Sequence, residues 1–166
     1  MRKLILALIA VAVFAAAVPL SSRGAGDNPF GDADADPAPF NPQMGALMGM
    51  LILPRHAKVG LAGQQENWPL AAYAFKELRQ GLFIVAKAVP RWKGLPVPDL
   101  LDAAMTQPLT VLDFAIKAGE PRHFADAYAK LTAGCNACHA TTDHPFIVIK
   151  TPDASMFPNQ EFSIKK

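Results

Sequence analysis

Proline divides this chain into helices. Asn41-Pro42, Trp68-Pro69, Pro98 and Pro121 each head a run whose apolar residues recur every three or four positions. A proline at the first helical position is preorganised, and its missing N–H is one that a helix start leaves unbonded anyway. The first run carries Met44, Leu47, Met48, Leu51, Ile52, Val59 and Leu61. It starts from an Asn41 cap, bends near Met50 because Pro54 lies inside it, and stops at Gly63. The second carries Leu70, Tyr73, Ala74, Leu78, Leu82 and Val85 to about Ala88, followed by a Pro/Gly-rich connection. The third spans Pro98 to Ala118 and is expected in two pieces, with Pro108 as the break and Thr106 capping the second piece. The fourth follows Pro121 and sets Phe124, Tyr128, Leu131, Cys135 and Cys138 on one face. Four such segments with short connections predict an all-α fold, an antiparallel four-helix bundle. Only Phe146-Ile147-Val148-Ile149 has strand character, and the tail from Pro145 to Lys166 is expected to pack irregularly over one end.

The amino terminus differs in kind. Met1-Arg2-Lys3 and the apolar run Leu4 to Val18 read as a secretory signal peptide over residues 1–17, with Ala15 and Ala17 at its cleavage site. The run is short of the roughly 20 residues that span a bilayer, although an uncleaved anchor is the alternative. Residues 18–41, rich in Gly, Ala, Asp and Pro, read as a flexible linker, leaving 42–166 as the folded domain. Of 16 basic and 14 acidic residues, Arg2 and Lys3 belong to the leader, so the exported chain is neutral. A neutral chain is a poor nucleic-acid ligand, and no membrane association is expected once the leader is removed.

The two cysteines of the chain fall in one motif, Cys135-Asn136-Ala137-Cys138-His139, at the end of the fourth helix. This is C-x-x-C-H, the c-type haem attachment pattern. Two thiols one turn apart can add to two vinyl groups on one edge of a haem, and the next histidine can then coordinate the iron. Gly134 is expected to leave room for the flat macrocycle. Zinc would want four ligands, and His56, His123 and His144 form no second pair at ligand spacing. A redox dithiol would want a βαβ setting, which a helical chain does not offer. A chance match in a core helix is the remaining alternative.

A helical bundle with its C-x-x-C-H on the last helix resembles the class II cytochromes c, of cytochrome c′ and c-556 type. From Met48 to Phe162 the chain also resembles a group of small exported bacterial haem-binding proteins, through RHAKVGLAG, NWPLAAY, CNACHATTDHPFI and FPNQEF. The resemblance implies one covalent haem c held by Cys135 and Cys138, with His139 as proximal iron ligand. It departs from class II in the 27 residues after His139, which are expected to cover the haem edge.

In an antiparallel bundle the haem would lie level with the first half of helix one, where Met48 is the favoured sixth ligand and Met44 the next. A methionine thioether is a known haem ligand, although methionines are also common core fillers. Met156 in the tail and His56 are further alternatives, the latter eight residues beyond Met48, about 12 Å along an ideal helix. An open site lined by Ile52 is the last. His123 and His144 are expected to face solvent. Arg55, Lys58, Arg79 and Lys130 either pair with haem propionates or face water. These readings lead to a non-enzymatic, periplasmic one-electron carrier with redox-protein partners and an undecided monomer or homodimer state. A five-coordinate gas-binding or sensing protein, or a haem subunit of a larger redox enzyme, is the alternative.

Overall fold

The computed structural model describes residues 42–164. The expected signal peptide, the linker and the Asn41 cap lie outside them. Apart from one short hairpin the described chain is all-α, in the order α1 (Met44–Leu47), a π-helical turn (Met48–Ile52), α2 (Leu53–Gln64), α3 (Trp68–Ala88), β1 (Arg91–Trp92), β2 (Leu95–Pro96), α4 (Val97–Ala118) and α5 (Pro121–Thr141). Among the described residues no helix is long and apolar enough to cross a membrane.

Where a bend is expected in the first helix, the chain forms a π-helical turn. Pro54 has no N–H for the Met50 carbonyl, and the turn preceding it widens so that the Leu53 N–H reaches back five residues to the Met48 carbonyl. The Arg55 guanidinium also donates to the Leu51 carbonyl at 2.9 Å, satisfying a second acceptor in the irregular stretch. The helix does not stop at Gly63. It continues to Gln64 and leaves through Glu66, whose φ is 54°. Asn67 then caps α3, its side chain accepting from the Leu70 N–H at 3.3 Å.

Two other expectations are corrected. The Pro/Gly-rich connection holds a two-residue-per-strand antiparallel hairpin, turned by Lys93 and Gly94, both at positive φ (48° and 83°). Helix α4 is one continuous element through Pro108, and Thr106 caps nothing: its hydroxyl donates to Asp102. Gly134 on α5 sits against this place, where a Cβ would come within 2.7 Å of the Ala104 carbonyl. That carbonyl is the one whose i+4 N–H partner Pro108 lacks. The close crossing of α5 therefore packs on the place where α4 passes through the proline. Gly119, at φ 67°, ends the helix as a left-handed cap.

Packing runs α2 on α3, α3 on α4 and α4 on α5, and α2 also meets α5. The core contains the fully buried Leu78, Val85, Leu112 and Leu131, with Phe75 and Phe124 nearly so. Burying each such side chain contributes about 1.5–3 kcal/mol. Glycine decides how closely α2 and α5 approach. A Cβ on Gly63 would lie only 2.0 Å from a Phe124 ring carbon, and one on Gly60 would lie 2.6 Å from the Tyr128 hydroxyl oxygen.

The tail does not fold over one end. It runs lengthwise along α2 and α5, because side-chain amides there satisfy its backbone. Asn136 holds Ile149, Gln64 donates to the Pro152 carbonyl at 2.9 Å, and Asn67 donates to the Phe162 carbonyl at 3.0 Å. Phe162 is buried and Phe157 lies under the Lys58 ammonium at 4.8 Å. Phe146–Ile149 pairs with no strand among the described residues; Ile149 bonds instead to a side chain.

Candidate functional site

The last turns of α5 and the first helical run converge on one cavity of about 470 Å³, within the range of small-molecule sites. Cys135, Cys138 and His139 line it from α5, and Met44, Met48, Ile52 and His56 line it from the π-turn and its flanks. Trp92 of the hairpin, Val97, Leu101 and Met105 of α4, and Ile147 and Ile149 of the tail complete an overwhelmingly apolar wall. Met48 and Ile52, four residues apart, share the cavity face, while Met50 between them is 73% exposed.

Both cysteines are free and half-buried. Burial pushes the Cys135 thiol up to about 11, with the neighbouring Cys138 adding to the shift, and burial raises Cys138 as well. Both are therefore protonated thiols at neutral pH, the opposite of the lowered pKa that activates a redox dithiol. Among the described residues no three metal-ligating side chains converge as a zinc site would require.

His139 donates from Nδ1 to the Ile147 carbonyl at 2.9 Å. A carbonyl only accepts, so Nδ1 carries the proton and Nε2 of the neutral ring holds a free lone pair. This is the tautomer of a metal-ligating imidazole with its outer hydrogen bond in place.

The other candidate ligands separate clearly. Met44 and Met48 line the cavity; Met156 does not, and is 59% exposed. His56 is no surface side chain beside Arg55 and Lys58. It is buried, with Nε2 3.0 Å from the Thr132 hydroxyl and Nδ1 3.0 Å from the Tyr128 hydroxyl. The Thr132 proton goes to the Tyr128 carbonyl at 3.0 Å, so Thr132 accepts from His56 Nε2–H. Both ring nitrogens are engaged, and desolvation lowers the His56 pKa to about 4.

His144, expected in solvent, is half-buried on the cavity wall between Trp92 and Phe146, its Nδ1 donating to the Thr142 carbonyl at 2.6 Å. His123 is exposed, as expected. Three of the four cations weighed as propionate partners are engaged elsewhere: Arg55 with Leu51 and Glu77, Lys58 over Phe157 and Arg79 over Phe75. Lys130 is exposed and lines a shallow groove between α4 and α5.

Sequence reasoning missed Met105, Trp92 and His144. Met105 sits in the third helical stripe, but nothing local marks which face meets the motif. It also misassigned the glycine that makes room. Gly134 faces α4, whereas Gly45 and Gly49 lie on the cavity wall with no atom within 4 Å of where a Cβ would stand. They leave open space beside Met44 and Met48. Apolar lining, two thiols and an imidazole nitrogen are the groups that a covalently held haem would require. Compared with family models, curated proteins and solved structures, the chain matches none.

Proposed function

We propose that this chain is an exported monohaem c-type cytochrome that carries single electrons in the periplasm. The observation that carries the reading is the convergence of Cys135, Cys138 and His139 on one apolar cavity. The finer architecture belongs to the same proposal: an antiparallel four-helix bundle with the haem motif on its last helix, resembling class II cytochromes c. A bound haem would supply one-electron exchange at iron, with its potential set by axial ligand and burial.

The residues divide the work. Cys135 and Cys138 would hold the group through two thioethers. His139 would hold the iron through Nε2, Ile147 fixing its other nitrogen. Met48, or Met44 one turn earlier, would supply a thioether as a further ligand. Ile52, Leu101, Met105 and Ile149 exclude water. The expected partners are other redox proteins.

The test is the mature protein purified from the periplasm. Its intact mass should exceed that of the polypeptide by one haem, and Cys135→Ala with Cys138→Ala should abolish acid-stable attachment. Terminal sequencing should find a start between Val18 and Gly24. Free thiols and no Soret band would refute the reading. High-spin ferrous protein that takes up CO at once would favour the gas-binding alternative.

A further inference from the structure

The outer wall of the cavity is an extended segment that hangs from the haem motif itself. Ile149 donates its N–H to Asn136 Oδ1 at 2.7 Å, and Asn136 Nδ2 donates to the Ile149 carbonyl at 2.9 Å. One planar amide thus satisfies both backbone groups of a residue that pairs with no strand. Two residues upstream, the Ile147 carbonyl accepts the His139 Nδ1 proton. The segment has little apolar burial to hold it there. Ile147 and Ile149 turn toward the cavity, but Phe146 and Val148 are 76% and 72% exposed and Ile147 is itself 43% exposed. Upstream, the Ile147 N–H donates to the His144 carbonyl at 3.0 Å and the His144 N–H to the His139 carbonyl at 2.8 Å, which continue the end of α5. Beyond Ile147, the bracket at Asn136 is what returns the segment to the helix bearing the imidazole.

We propose that Asn136 is a positioning residue for His139. By bracketing Ile149 it holds the Ile147 carbonyl where it selects the Nδ1–H tautomer, and so presents an unprotonated Nε2 to the cavity. Asparagine suits the position because its side chain offers a donor and an acceptor with the spacing of a peptide group. Aspartate has no donor, and alanine has neither group. The role of Nε2 as an iron ligand rests on the haem reading; the dependence of the tautomer on Asn136 belongs to the polypeptide alone.

The test uses mature full-length protein labelled with ¹⁵N-histidine, together with amide exchange over the tail. Wild-type protein should show His139 protonated on Nδ1 with a slowly exchanging proton. Asn136→Ala should speed exchange of that proton and of the Ile149 amide by about tenfold, the loss expected for a side-chain hydrogen bond. The far-UV helical signal should be unchanged. Asn136→Asp, which keeps the acceptor and loses the donor, should fall between the two, and it supplies the comparison if the alanine variant does not fold. A His139 proton on Nε2 in wild type would overturn the proposal. So would an Nδ1 proton whose exchange is the same in all three proteins. Absence of covalent haem would sink the proposed function, whereas the Asn136 dependence of the ring proton is read in that protein equally well.

Discussion

Tyr128 on α5 donates its hydroxyl proton to the His56 carbonyl on α2 at 2.8 Å, and the same oxygen lies 3.0 Å from Nδ1 of the His56 ring. The pair links the two helices whose ends build the cavity. Gly60 makes this possible, since a Cβ there would collide with the phenol. Removing the hydroxyl deletes the bond to the His56 carbonyl and leaves the buried ring nitrogen without its neighbour, which costs about 1–3 kcal/mol. Tyr128→Phe is therefore expected to lower stability by about 2 kcal/mol, measured as a fall in the urea midpoint without a change in slope. An unchanged midpoint would show that the ring is satisfied some other way.

Acid should find the same residue. The His56 pKa is depressed in the folded chain, to about 4 against an unfolded value of 6.5, so the unfolded state binds more protons between these values. Its contribution is fully present above pH 6.5 and is lost as pH falls toward 4, a total of about 3 kcal/mol. Urea midpoints at pH 7 and pH 4.5 should differ accordingly, and His56→Gln should flatten the dependence in that window.

Close packing at glycine makes a sharper demand. Gly63→Ala places a methyl 2.0 Å from a Phe124 ring carbon, and Gly134→Ala presses one on the Ala104 carbonyl. Overpacking of this kind costs about 1–3 kcal/mol, occasionally more. The second substitution should act on α4 as well as α5, because the Pro108 turn leans on Gly134. Faster amide exchange around Ala104–Leu112 in Gly134→Ala, against no change there in Gly63→Ala, is the expected pattern.

For the distal side, the haem-loaded protein should show the weak near-infrared sulfur-to-iron band of a methionine ligand. Met48→Ala should remove it, lower the reduction potential and admit CO. Loss of the band in Met44→Ala alone would move the ligand by one turn. Survival in both would direct attention to Met105, the remaining thioether on the cavity wall.

The open space at Gly49 can be challenged by filling it, as a test of the proposed haem. Gly49→Leu puts a branched side chain where the structure has open space, and it should reduce the yield of covalent haem while leaving the helical content near wild type. Full loading would show that the planar group lies elsewhere in the cavity.

What the sequence determined by itself was local. Proline at the helix starts, Asn67 as a cap, the apolar period and the C-x-x-C-H spacing act through one to five residues, so they are legible without knowing what packs on what. The bend before Pro54 was readable for the same reason. Only the tertiary structure decided the rest, because each remaining outcome depends on the surface opposite. Pro108 breaks a helix in isolation, but α5 packs through Gly134 on the Ala104 carbonyl that Pro108 leaves without its helical partner, and α4 continues. His56 looks like a surface residue beside Arg55 and Lys58 until Tyr128 and Thr132, more than seventy residues away, engage both its nitrogens. The stretch 146–149 has the composition of a strand but no strand to pair with among the described residues, so Ile149 bonds to Asn136 and the Ile147 carbonyl to His139, and the tail becomes a wall of the site.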